Sequence, residues 1–181
     1  MGEYRPHTAA ELARMEQDQH DPKWLAWVAP ELMETQLRKF LTDTVPDMPD
    51  DPWTAEGLAQ AECVALELFP TMQATRSPEN RDVADQFHRF IGEVFRRNFE
   101  GSWYNVPSFD DSQGTHGFGP VIKLPFAEFY FTVIQQLTTV IDRHTGKQWA
   151  WIYAQQQKNY DDWKNSGRLP LSEWQALKQA R

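Results

Sequence analysis

The chain has few of the residues that hold small or unusual folds together. Its 181 residues include one cysteine, Cys63, so neither a disulfide framework nor a multi-cysteine metal site can form within it. Cys63 lies in an apolar run with helical spacing, which predicts a small buried side chain. No window approaches the ~18 uninterrupted apolar residues of a membrane helix. Residues 1–20 are charged and have no apolar core, so we expect a cytoplasmic protein without a secretory signal.

Basic residues are also scarce. Lys and Arg number 18 against 26 Asp and Glu, which gives a formal net charge of -8. The acidic excess lies in the first 146 residues, whereas residues 147–181 contain six basic and three acidic side chains. An acidic body disfavours sequence-independent binding to nucleic acid, because phosphates attract a basic face. The charge instead favours a partner protein with a basic surface.

Large apolar side chains are abundant. Hydrophobic residues make up 40% of the chain and aromatic residues 13%, which is enough for one core in a single domain over residues 1–181. Helix-start signals recur along the sequence, as capping boxes and as N-cap residues followed by proline. Together with the apolar spacing they predict about six to seven helices. These cover residues 9–17, 22–44 with a kink or split at Pro30, 52–69, 78–100, 126–145, 147–165 and 172–180.

One stretch departs from helical spacing. Gly101 is placed to end a helix in a left-handed cap, and short alternating runs follow on both sides of a polar loop. These runs predict an antiparallel hairpin over about residues 102–124. Pro120 cannot donate to a strand ladder, so we expect its strand to be an edge strand or to contain a bulge. No third strand is visible, and the predicted fold is mainly α with one small antiparallel β-hairpin.

The loop inside the hairpin is the candidate binding site. At about ten residues it is longer than a hairpin needs, and long loops on rigid scaffolds are often where binding occurs. Phe109 and Phe118 are predicted to be exposed anchors that flank an acidic rim of Asp110 and Asp111, with His116 beside them. Replacing Phe109 and both aspartates should therefore remove partner binding while leaving thermal stability nearly unchanged.

The same loop admits a metal-assisted hydrolase that would use Asp110, Asp111 and His116 as ligands. However, a catalytic zinc requires three protein ligands in a fixed array, and an EF-hand requires a longer spaced acidic set. Neither pattern is present, so we expect no metal, no cofactor and no catalytic residue. A further alternative is a small-molecule sensor with an aromatic pocket between helices.

Residues 90–126 also show a particular order of glycine, tryptophan and proline. The order is Ile91-Gly92-Glu93, Gly101-Ser102-Trp103, Gly119-Pro120-Val121-Ile122 and Pro125-Phe126. It resembles uncharacterised bacterial domains, some of which resemble immunity proteins of toxin loci. The resemblance implies a helical domain with a small hairpin and transfers no catalytic residue. With the acidic charge and the long loop, it leads us to expect a bacterial protein-interaction module of the immunity type.

Overall fold

The computed structural model describes residues 8–109 and 116–180. Within these ranges the fold is 66% helical, with 8 helices and one small three-stranded antiparallel sheet, which confirms the mainly α prediction. None of the helices in this part of the chain has the length and apolarity needed to cross a membrane. The elements are α1 (Ala9–Asp18), α2 (Pro22–Val28), α3 (Pro30–Lys39), α4 (Ala55–Leu68), α5 (Arg81–Asn98), β1 (Ser102–Asn105), β2 (Pro120–Lys123), β3 (Phe131–Thr132), α6 (Val133–Arg143), α7 (Gln148–Asn165) and α8 (Leu171–Gln179).

Local capping sets where the first helices begin. The predicted capping box is present, since the Glu11 N–H donates to Thr8 Oγ1 at 3.2 Å and the Thr8 N–H donates to Glu11 Oε2 at 2.7 Å. Asp21 caps α2 by accepting a hydrogen bond from the Trp24 N–H at 3.1 Å. The expected break at Pro30 is a full split into α2 and α3. A π-helical turn, Phe40–Thr44, then extends α3.

The predicted start of α4 at residue 52 is wrong. Thr54 is the N-cap, and its hydroxyl accepts a hydrogen bond from the Gly57 N–H at 3.3 Å. The segment before the helix folds back on its first turn, so that a Cβ at position 57 would lie 1.9 Å from the Pro52 carbonyl oxygen. Proline therefore precedes the helix here and does not begin it.

The predicted start at residue 78 also differs. Residues Pro78–Asn80 form a single 3-10 turn, and α5 begins at Arg81. Ser77 makes no side-chain capping bond, and its hydroxyl donates to the Ala74 carbonyl at 3.2 Å. The turn after Ser77 is closed by the Asn80 N–H, which donates to the Ser77 carbonyl at 3.1 Å in 3-10 geometry.

Helix α5 occupies the centre of the fold. It packs against α3, α4, α6 and the sheet, and its middle is buried almost all round. The buried set includes Phe87, Phe90 and Phe95, as the helical spacing predicts, but also the ionisable residues Arg89 and Glu93. Buried charges require partners. The partners of these charges define the sites described below.

The end of α5 differs in detail from the prediction. Glu100, and not Gly101, adopts the left-handed conformation, with a φ of 52°. Gly101 is needed for close packing, since a Cβ there would lie 2.7 Å from Cγ2 of Ile122. The glycine therefore allows the strand that contains Ile122 to approach the helix end.

The predicted hairpin is present, and a third strand joins it. β1 pairs with β2 from Ser102↔Lys123 to Asn105↔Pro120, and β3 pairs with β2 at two positions, in the order β1-β2-β3. β2 is therefore central, and the expectation that Pro120 lies on an edge strand or a bulge is wrong. The proline is tolerated because it is the first residue of β2 and β3 pairs only from Val121 onward.

The third strand also shortens the next helix. The prediction began a helix at residue 126, but Phe131 and Thr132 pair with the sheet and α6 begins at Val133. Helices α7 and α8 lie within a residue of their predicted bounds. Two-residue strands have no alternation to detect, which is why the sequence did not indicate β3.

Cys63 is exposed, which contradicts the prediction that it is buried. The inward position is taken by its neighbour Glu62, whose side chain is fully buried. Its carboxylate accepts the N–H groups of Gln148 at 2.9 Å and Trp149 at 2.7 Å. A carboxylate on α4 thus satisfies the first backbone donors of α7, where negative charge is favoured by the helix dipole.

Candidate functional site

The structure separates the residues that the sequence grouped in the hairpin loop. Asp110 and Asp111 lie outside the described residues. Phe109 ends a 3-10 turn and is half-buried, with its ring 6.4 Å from that of Tyr130. The expectation that Phe118 is exposed is wrong, because it is 4% exposed and belongs to the core.

His116 and Phe118 face inward together. Their rings stack at 5.2 Å, and Phe118 packs against Trp24 and Trp27 of α2, at 5.7 Å in each case. Gly117 between them has a φ of 76°, a conformation that glycine adopts without strain. The His116 Nδ1 atom consequently lies 3.9 Å from Asp85 Oδ1 on α5, and not beside an exposed loop surface.

A second candidate site shares none of these residues. A groove of about 670 Å³ runs between α2–α3 and the second half of α5, which is within the usual range for small-molecule sites. Its walls are mainly apolar, and its polar groups are arginines and glutamates. The groove is lined by Val28, Pro30, Met33, Glu34, Leu37, Arg38, Leu41, Trp53, Glu93, Arg96, Arg97 and Trp103.

Glu93 is the polar centre of the groove. Its side chain is 3% exposed and accepts four hydrogen bonds. Arg96 donates through Nε to Oε1 at 2.6 Å and through Nη2 to Oε2 at 3.0 Å, while the Arg97 Nε donates to Oε2 at 2.9 Å. The Trp103 indole N–H donates to Oε1 at 2.8 Å. One carboxylate therefore fixes two guanidinium groups and one indole ring.

The hydrogen bonds determine the ionisation of Glu93. Burial alone would raise the pKa of this carboxyl group, but the bonds from Arg96, Trp103 and Arg97 outweigh burial and lower the pKa below its usual range. Glu93 is consequently ionised at neutral pH. With two arginines on one carboxylate, the centre of the groove keeps a net positive charge.

The arginines are held in place by more than the carboxylate. The Arg97 guanidinium lies 3.7 Å from the centre of the Trp53 ring, a cation-π contact. Its bond to Glu93 uses only Nε. Among the described residues neither terminal nitrogen of Arg97 has a hydrogen-bond acceptor, so both can bind a ligand or solvent. At the rim, Arg38 pairs with Glu34 at 3.4 Å, but both side chains are mostly exposed and the pair contributes little.

Sequence reasoning missed this groove although part of the signal was visible. Glu93, Arg96 and Arg97 have the three- and four-residue spacing of ion pairs on one helix face. In the sequence, two arginines in the last turn of a helix are already explained by the negative end of the helix dipole. Trp53 precedes α4 and Trp103 belongs to β1. No local pattern in the sequence predicts that both rings pack against the same face of α5.

No protein-family model matches the chain, and neither a curated protein nor a solved structure is significantly similar to it. The resemblance to immunity proteins therefore stays an expectation.

Proposed function

We propose that this protein binds a small organic anion with an apolar body in the groove between α2–α3 and α5. The single observation behind the proposal is the pair of guanidinium groups, Arg96 and Arg97, that the buried Glu93 holds at the polar centre of a mainly apolar groove. The role is that of a binding protein or sensor. This role corresponds to the small-molecule sensor that the sequence left open as an alternative. The sequence did not identify the residues of the groove.

The charge distribution supports an anionic ligand. The chain as a whole carries -8, yet the groove lining contains three arginines and two glutamates. Arginine is suited to carboxylate, sulfonate or phosphate groups because its planar fork donates two parallel hydrogen bonds. Arg97 bonds Glu93 through Nε alone, so its two terminal nitrogens take no part in that bond. Preorganisation by Glu93 and Trp53 lowers the entropy lost when an anion binds.

The apolar walls support a ligand with a hydrophobic body. Met33 and Leu37 form buried parts of the wall, and Trp53 and Trp103 add partly buried rings. Flat indole surfaces favour aromatic or aliphatic groups, and each buried CH₂ group adds about 0.8 kcal/mol of binding free energy. A free inorganic anion would leave these walls in contact with water.

The test uses the fluorescent probe 8-anilinonaphthalene-1-sulfonate, an aromatic anion, and its neutral analogue N-phenyl-1-naphthylamine. We expect the natively folded chain to bind the sulfonate at one site per chain, and at least about tenfold more tightly than the neutral analogue. Arg97→Gln should weaken sulfonate binding about tenfold or more without changing affinity for the neutral probe. Equal affinity for the two probes in the wild type would contradict an anion site.

The matched control is Arg143→Gln, which removes an exposed arginine at the end of α6, away from the groove. It should leave both affinities unchanged. If Arg97→Gln and Arg143→Gln weaken sulfonate binding equally, the effect reflects overall charge and the proposal is wrong. Circular dichroism of each variant checks that the probe reports a folded site.

Partner-protein binding is a second candidate, favoured by one exposed side chain. Phe129, between β2 and β3, is 83% exposed and lies beside a recess of about 280 Å³. Exposed aromatic residues often anchor protein interfaces. A basic partner in the native host should co-purify with the wild type and be lost with Phe129→Ser. The control, Leu12→Ser, removes another exposed side chain and should retain the partner. Equal recovery with both variants would exclude Phe129 as the anchor.

A further inference from the structure

Three potential metal ligands from two segments meet beside Trp27 of α2, and none of them lines the groove. Asp85 and His88 lie one turn apart on α5, and His116 belongs to the segment that leads into β2. Each offers one ligand atom, and these atoms all lie within 4.8 Å of one another. Residues three apart share one face of a helix, so α5 presents both of its ligands in the same direction.

The cluster is supported by packed rings. The His88 and His116 rings lie 5.7 Å apart at an angle of 73°, and His116 also contacts the ring of Trp27 at 6.3 Å. Phe118 stacks on His116 at 5.2 Å. The His88 residue is 5% exposed and the His116 side chain 8%, so both imidazoles are held in a largely dry environment.

Hydrogen-bond donors hold the Asp85 carboxylate in place, as they usually do for carboxylates that bind a metal. The Trp27 indole N–H donates to Asp85 Oδ1 at 2.7 Å, and the Arg89 Nε donates to Oδ2 at 2.7 Å. Each carboxylate oxygen has two lone pairs, so one hydrogen bond to Oδ1 leaves a lone pair for a cation. Arg89 in turn donates to the Trp27 carbonyl at 2.8 Å, which fixes its own position.

We propose that Asp85, His88 and His116 form a binding site for a divalent transition-metal cation, with zinc as the representative ion. Two imidazoles and one carboxylate are a ligand set that zinc accepts, with water in the fourth position. Ligand atoms around tetrahedral zinc are about 3.3 Å apart, given bonds of about 2.0 to 2.1 Å. The ligand atoms here are at most 4.8 Å apart, so binding would have to draw them together by up to about 1.5 Å.

The site is distinct from the metal-assisted hydrolase considered for the hairpin loop. His116 is common to both, but Asp110 and Asp111 take no part in this proposal. Arg89 offsets the charge of Asp85, so the affinity for zinc should be lower than at a site with more anionic ligands, on the order of micromolar. The proposal is also independent of anion binding in the groove.

The experiment titrates chelator-treated, tag-free full-length chain with ZnCl₂ in a calorimeter at pH 7.5. We expect one Zn²⁺ per chain, and a melting temperature that rises by about 5 to 10 °C at a hundredfold excess over the dissociation constant. Co²⁺ should give visible absorption that Zn²⁺ abolishes. No stoichiometric binding by the wild type would overturn the proposal.

Variants assign the ligands. His88→Gln and His116→Gln should each lower zinc affinity at least about tenfold, in line with the loss of one of three ligands. The control is His20→Gln, which changes an exposed histidine in the turn after α1 and should bind zinc as the wild type does. If His88→Gln fails to fold, His116→Gln decides the test. Unchanged affinity in His116→Gln, or an equal loss in His20→Gln, would show that the three residues form only a structural contact.

Discussion

Replacing Gly92 by alanine should destabilise this protein, although the same change inside a helix ordinarily stabilises it. Gly92 lies in the middle of α5, under the indole ring of Trp103. A Cβ at this position would lie 2.0 Å from Cη2 and 2.4 Å from Cζ2 of that ring, whereas ordinary van der Waals contact begins at 3.4 Å. The ring would therefore have to move by about 1 Å or more.

The size of the effect follows from three contributions. Forcing a methyl group into a packed site costs about 1 to 3 kcal/mol. The displaced ring also loses its edge-on contact with Trp27, whose centroid is 5.0 Å away, and such contacts contribute about 0.5 to 1.5 kcal/mol. Alanine offsets about 0.8 to 1 kcal/mol through its higher helix propensity. The free energy of unfolding should fall by about 1 to 3 kcal/mol.

A double-mutant cycle isolates the contact. Urea unfolding is followed by far-UV circular dichroism for the wild type, Gly92→Ala, Trp103→Ala and the double variant. Without the indole, Gly92→Ala should become stabilising, by up to about 1 kcal/mol. Ala154→Gly, at an exposed position in α7, measures the propensity difference within this chain and should cost about 1 kcal/mol.

The sign reversal is the decisive result. If Gly92→Ala destabilises the protein equally with and without Trp103, the indole is not the obstruction and the close approach of Trp103 to α5 is refuted. A neutral effect in the wild type would refute the tight packing of this ring.

Three further predictions concern buried and exposed side chains. The lowered pKa of Glu93 means that its carboxylate stabilises the fold above the unfolded pKa of about 4.3 and that this contribution is lost as the pH falls through the folded value. The difference in melting temperature between the wild type and Glu93→Gln should therefore be largest at pH 7 and shrink below about pH 4. A difference that does not depend on pH would contradict the lowered pKa. Glu62→Ala should lower the free energy of unfolding by about 2 to 4 kcal/mol, because two N–H groups at the start of α7 lose a charged acceptor, and urea titration measures this loss. Cys63 should react with a thiol reagent in the native state at a rate close to that of a free thiol, since it is exposed; protection until unfolding would contradict its outward position.

The sequence alone determined the features that depend on neighbours in the chain. A capping box at Thr8, the Asp21 cap before α2 and the split at Pro30 all follow from interactions within four residues. The apolar spacing of α5 likewise identified its core positions. These signals were sufficient for the mainly α class and for most helix bounds.

Where local signals compete, the tertiary structure decided the outcome. Pro52 and Pro78 had the same pattern as Pro22 but do not begin α-helices. Trp53, the residue after Pro52, is held against α5 by Asn98 and Arg97, and Pro78–Asn80 form a 3-10 turn. β3 forms only because β2 offers it an edge. Propensity is a weak preference that contacts from outside the segment override.

The candidate sites depend on contacts between distant segments. Glu93 meets Trp103 across the end of α5, and His116 meets Asp85 and His88 across the fold. Each residue type was visible in the sequence, but a single histidine on a helix, such as His88, does not indicate its partners. A linear sequence specifies spacing along one helix face, whereas the distance between two faces is set by the packing of the core, so only the folded chain shows which polar groups meet.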